Sequence, residues 1–180
     1  MRLINISLFL LFFFFSNSYS QSKHGASGNY PTYKGLVMAG YQGWFRAPDD
    51  GSKKGWGHYG KGNKFDFENN TIDFWPEVSE YKKTYKTVFK YDDGTNAKVF
   101  SSVDKSTTDL HFKWMKDYGV DGVFMQRFFG VTRNHKNTNK PQDIILRNAL
   151  RAAKVNNRAI AVMYDLSGLK ANGEDCSSII

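Results

Sequence analysis

The sequence predicts an α/β fold organised around a parallel sheet, and three observations predict it. Apolar runs at residues 35–41, 120–128 and 159–164 are short and unbroken, as strands buried on both faces should be. Stretches beginning near residues 106 and 141 carry one apolar stripe at helical period, enough to cover a sheet but not to fill a bundle. The order strand, helix, strand, helix, strand over residues 97–164 then calls for right-handed crossovers between parallel strands.

Composition narrows the class. In 180 residues, 25 Lys+Arg oppose 17 Asp+Glu for a net charge of +8, and 41% hydrophobic with 23% charged is a globular balance. That excludes a disordered tail, a collagen-like fibre and a polytopic membrane protein. The lysines are dispersed, with Lys53-Lys54 and Lys82-Lys83 the adjacent pairs, so a solvated basic surface is expected and no nucleic-acid partner. A single cysteine, Cys176, excludes an internal disulfide framework.

Taken in order, residues 1–20 read as a signal peptide. Arg2 supplies the positive start, the apolar run 8–15 is too short to span a bilayer, and Ser18 and Ser20 offer small side chains for cleavage near Ser20. The product is expected to be secreted or periplasmic, with no stable membrane anchor. Residues 21–34 are a polar, flexible leader. After the strand at 35–41 comes a long loop rich in Gly and Asp, in which Trp44, Phe45, Trp56 and Tyr59 argue against disorder. Pro76 should open a short helix to about Tyr81. Residues 87–91 and 97–103 flank Asp92-Asp93-Gly94-Thr95-Asn96, a hairpin signal.

Ser106 with Asp109 resembles a capping box. The helix it opens carries Leu110, Trp114 and Tyr118 on one apolar face and should end at Gly119. Pro141 opens the next helix, striped by Ile145, Leu146, Ala149, Leu150 and Ala153. Residues 174–180 resemble a helix that stops after about one turn, too short to stand alone. A (β/α)8 barrel takes typically about 250 residues. Residues 35–180 are therefore expected to be the N-terminal part of such a TIM barrel, its first three to four βα units, truncated and able to self-associate through exposed edges.

Ligands of parallel α/β folds bind at the carboxyl ends of the strands. That rule singles out Gln42, Trp44, Arg46, Asp49 and Asp50 after the first strand, Asp104 after the second, Gln126 and Arg127 at the third and Asp165 at the fourth; Tyr41 at the end of the first strand and His58 in the loop after it join the candidate binding residues. Aromatic rings beside carboxylates and amides suit a sugar better than a nucleotide. Asp104 and Asp165 are the candidate catalytic carboxylates, although each could instead cap the segment that follows it. Gln126 and Arg127 alternate across a strand, so one faces the mouth while the other packs against a helix. Trp44 reads as a pocket wall, and Trp75 as either a helix staple or a sugar platform.

Other signals fail. Gly55-Trp56-Gly57-His58-Tyr59-Gly60 matches G-x-G-x-x-G but follows no strand and opens no helix. His24, His58, His111 and His135 form no H-x-x-x-H pair, so neither a metal nor a cofactor is expected. No G-x-S-x-G supplies an acyl-transfer nucleophile.

Several segments then add up: Val37-Met38-Ala39-Gly40-Tyr41-Gln42-Gly43-Trp44-Phe45, Phe74-Trp75-Pro76-Glu77, Asp109-Leu110-His111-Phe112-Lys113-Trp114-Met115, Gly122-Val123-Phe124-Met125-Gln126-Arg127-Phe128 and Met163-Tyr164-Asp165-Leu166-Ser167-Gly168. Together they resemble the N-terminal half of the glycoside hydrolase family 71/99-like proteins, the xylosidase/arabinosidase type of Bacteroidetes. The resemblance spans about residues 36–180. It implies a (β/α)8 barrel and a secreted enzyme of polysaccharide degradation. In the mannan-acting family 99 members two glutamates act with participation of the sugar 2-hydroxyl. No residue here matches those glutamates, which the resemblance places beyond Ile180. The chain alone is thus expected to bind polysaccharide or oligosaccharide without turnover, the alternative being a dedicated, non-catalytic glycan-binding protein.

Overall fold

A computed structural model describes residue 30, residues 32–132 and residues 140–167. The expected signal peptide, most of the leader, Cys176 and the helix start at 174–180 lie outside the described residues. The elements run β1 (Met38–Tyr41), β2 (Tyr85–Lys90), β3 (Asn96–Val99), α1 (Lys105–Asp117), β4 (Gly122–Phe128), α2 (Phe129–Thr132), α3 (Pro141–Asn156) and β5 (Ala159–Asp165).

Strands β1, β4 and β5 form a parallel sheet in that order, with Met38 opposite Gly122 and Gly122 opposite Ala159. Gly122 permits the pairing, because a Cβ at this position would collide with the backbone and side chain of Ala159. The amino ends of the strands are pinned by side chains. Asp121 Oδ2 accepts the Val37 amide at 2.9 Å, and the Arg158 guanidinium donates to Val120 O at 3.1 Å. Helices α1 and α3 close one face of the sheet over a core of Tyr41, Phe112, Val123, Met125 and Ile145, with Ala149, Ala152 and Ala153 letting α3 lie close.

The hairpin β2–β3 stands apart, antiparallel, with Tyr85 opposite Val99. Its inner face joins the loop in a second core of Ala47, Tyr59, Phe65, Tyr85 and Val99, bordered by Phe45, Trp56, Trp75 and Phe89.

This arrangement overturns the partial TIM barrel. A barrel needs each strand to be followed by a helix and to join one parallel sheet. The described residues form a small mixed α/β fold with three parallel and two antiparallel strands, two helices longer than one turn, and no helix between β1 and β2. The segment counted as a second barrel strand, residues 97–103, contributes β3 to the hairpin instead. A connection of a few residues can close only an antiparallel pair, and Asp93 ties this one by accepting the Thr95 amide at 2.8 Å. β1 then pairs directly with β4.

Local expectations are also corrected. Pro76 opens no helix, because Trp75 is drawn away: its Nε1 donates to Lys98 O at 2.8 Å and its ring stacks on Phe65 at 5.7 Å. Trp75 is thus no helix staple. The N-cap of α1 is Asp104 rather than Ser106, and no side chain caps the helix. Its buried face runs through Thr107, Thr108 and Phe112, while Tyr118 is 81% exposed. Gly119 leaves the helix at φ 81°, and Asn157 ends α3 in the same left-handed region. The buried stripe of α3 is Ile145, Ala149, Ala152 and Ala153, with Leu150 outside.

Candidate functional site

The parallel sheet sets the carboxyl ends of β1, β4 and β5 side by side, and the loop after β1 folds back over them. Between loop and strands lies a cavity of about 290 Å³. Gly43 lets the loop enter: at φ 64° its backbone passes so near α3 that a Cβ would fall 2.7 Å from Ile145 Cγ2.

One wall is polar and continuous across all three strands. Gln42 Nε2 donates to Gln126 Oε1 at 2.9 Å, and Gln126 Nε2 donates to Asp165 Oδ2. Asp165 Oδ1 in turn accepts the Ser167 amide at 2.8 Å. Hydrogen bonds from Ser167, and after them from Gln126, hold the Asp165 carboxyl below the usual carboxylate range. It is therefore ionised near neutral pH, suited to accepting hydrogen bonds and unsuited to donating a proton.

The same lining holds three rings in contact, those of Trp44, His58 and Phe128. The Trp44 indole lies between the His58 imidazole at 4.8 Å and the Phe128 ring at 5.4 Å. His58 takes a left-handed backbone, φ 60°, a conformation that costs a non-glycine residue about 1–2 kcal/mol and that presents its ring to Trp44. Burial, and after it the nearby Arg46 charge, pull the His58 pKa below its ordinary value, so its imidazole is neutral at pH 7.

Arg46 is 5% exposed, and its Nη1 donates to Gly43 O at 2.7 Å and Phe45 O at 2.9 Å, which fixes the loop. Arg127 turns toward α3, where its Nη2 meets Asp143 Oδ1 at 2.5 Å.

The structure thus brings Gln42, Trp44, His58, Gln126 and Arg127 to one cavity and attaches Asp165 through Gln126. Tyr41 and Asp104 stand elsewhere. Tyr41 points into the core, its hydroxyl 3.0 Å from His111 Nδ1, and burial raises its pKa to about 12. Asp104 is held by Lys83 Nζ at 3.0 Å and the Tyr85 hydroxyl at 2.8 Å, where it ties the hairpin to α1. Sequence reasoning missed Lys54, Phe128 and Gln142, all of which line the cavity. The strand-end rule extended by one residue reaches Phe128, and extended to the start of the next helix it reaches Gln142. Lys54 has no signal beyond its place in the loop. Among the described residues, no group of three or more His, Cys, Asp or Glu side chains could hold a metal ion.

Compared with known proteins, the chain matches no family model, no curated protein and no solved structure.

Proposed function

We propose that this cavity binds a sugar residue of a polysaccharide or oligosaccharide, and that the chain is a secreted, glycoside hydrolase-like protein whose own part is recognition. The observation that carries the reading is the Gln42–Gln126–Asp165 hydrogen-bonded chain, whose two glutamines line one cavity together with Trp44, His58 and Phe128. A sugar ring offers apolar C–H groups and a rim of hydroxyls that both donate and accept. Each glutamine amide does both as well, Asp165 fixes the orientation of Gln126, and the aromatic rings take the C–H groups. The volume lies at the lower edge of small-molecule sites, about 300–1,000 Å³, and suits a single sugar residue. Three of the segments resembling the glycoside hydrolase family 71/99-like proteins contribute those three polar residues, which supports a glycan as ligand.

Cleavage would need an acid and a base or nucleophile about 5–10 Å apart across the scissile bond. Of the two candidate carboxylates, Asp165 is at the site and ionised, while Asp104 is engaged with Lys83 and Tyr85. Asp104 and Asp165 therefore do not act as such a pair at this cavity.

Titration of the full chain with mannose-, xylose- and arabinose-based oligosaccharides, followed by calorimetry and tryptophan fluorescence, tests the reading. Saturable binding with a Kd of about 1 mM or tighter is expected, weakened about tenfold in Gln126→Ala. Absence of saturable binding to every sugar overturns the proposal. Release of shorter products overturns the non-catalytic assignment.

A further inference from the structure

We infer that the sugar taken by this cavity carries a negative charge, as a uronate carboxylate or a sulfate ester. The inference rests on the sugar-binding reading and concerns which glycans that site selects.

The cavity lining contains three cationic side chains, Arg46, Lys54 and Arg127, and no carboxylate. The carboxylates nearby are already occupied. Asp143 pairs with Arg127. Asp50 spends Oδ2 on the Ser101 hydroxyl at 2.6 Å and the Ala47 amide at 3.1 Å, and Oδ1 on the Ser52 amide at 2.7 Å. Asp165 takes Gln126 and Ser167. Arg46 is buried, feels Asp50 only through space, and donates to two backbone carbonyls, with no carboxylate of the described residues in contact with its guanidinium. A buried guanidinium without a contacting counter-ion is unfavourable by itself, and a ligand anion would relieve it.

A second observation is independent of net charge. Arg127 keeps its Nε buried and without a hydrogen-bond partner, although its Nη2 is paired. Buried donors of this kind are normally satisfied, and this one leaves the Arg127 head group with unused hydrogen-bonding capacity beside the cavity. Lys54, exposed in the loop, adds a mobile ammonium that can follow a carboxylate or sulfate without a fixed geometry. His58, held neutral first by burial and then by the Arg46 charge, adds no negative charge to the lining.

Three trisaccharides with one backbone and different C6 groups separate the outcomes: mannotriose, its uronate counterpart and its 6-sulfated counterpart. With the full chain at low salt, at least one acidic form should bind about tenfold tighter than mannotriose, and the preference should shrink as salt is added. Lys54→Gln, which removes one of the three cavity cations, should reduce that preference, whereas Lys113→Gln on the outer face of α1 should leave it unchanged. The relative affinities of uronate and sulfate tell which anion the site takes. Equal or tighter binding of mannotriose overturns the inference and leaves the sugar site standing. Acidic preference unchanged in Lys54→Gln also overturns it, since the attraction would then come from the basic surface at large. Failure of all three to bind removes the sugar site itself.

Discussion

The two cores are built by opposite means. Under the parallel sheet the buried residues are mostly aliphatic and small, arranged by helix and strand periods, and Ala149, Ala152 and Ala153 do as much as any large side chain. Around the hairpin they are mostly aromatic, with Tyr59 only 1% exposed and in ring contact with Phe45, Trp56, Phe65 and Phe100. Most of that region is loop, fixed by turns such as Asp66 accepting the Asn69 side-chain amide at 2.7 Å and by the short bridge from Gly60 to Asn70. Where periodicity is missing, large rigid rings supply the contact area that ordering a loop requires. The two cores meet at His111. Its Nδ1 faces the Tyr41 hydroxyl at 3.0 Å on the sheet side, and its Nε2 faces the Tyr81 hydroxyl at 2.5 Å on the loop side. A neutral imidazole donates from one nitrogen and accepts at the other, so it suits a hydroxyl at each.

The largest effects should come from emptying either core. Phe112→Ala in the first and Tyr59→Ala in the second should each lower unfolding stability by about 3–5 kcal/mol in urea titrations. If the cores form one cooperative unit, each variant shifts a single transition; a second transition in either would show two independent folding units.

Acid should act next, through the seam. Burial holds the His111 pKa at about 4, against an ordinary 6.5. The unfolded chain therefore takes up a proton that the folded state refuses. Stability should fall as pH drops from 6.5 toward 4, by at most about 3 kcal/mol, and this contribution should level off below. Urea midpoints of wild type and His111→Gln across that range measure it; equal pH slopes would sink the assignment.

Tyr59→Phe is gentler. It leaves the ring and removes the hydroxyl that donates to Phe100 O at 2.8 Å, for an expected loss of about 1–2 kcal/mol. Smallest of all, Lys113→Ala breaks an exposed i,i+4 pair with Asp117 and should leave the thermal midpoint nearly unchanged.

Much of the first region is legible in the chain. Strands near 38–41, 122–128 and 159–165 and the helix from Pro141 follow from apolar period, proline and turn chemistry, all of which act over a few residues. The hairpin turn at Asp93-Gly94 is equally local. Of the site, Gln42, Gln126 and Asp165 follow from the rule that strand ends in a parallel sheet share one edge. The second region is not legible in this way, because its aromatic residues have no period to reveal which of them meet. Trp75 finds Lys98 across 23 residues, and Asp104 finds Tyr85 across 19.

By itself, then, the chain determined where the three parallel strands and the two long helices form, where the hairpin turns, and that Gln42, Gln126 and Asp165 stand at strand ends. Tertiary structure alone decided that the hairpin stays outside the parallel sheet, that Tyr41 and Asp104 serve the core and the hairpin instead of the cavity, and that Lys54 and Gln142 join it. The physical reason is range. Backbone preference and hydrophobic period are set by neighbours a few residues apart, whereas burial, ion pairing and access to a cavity depend on segments that meet only once the chain has folded.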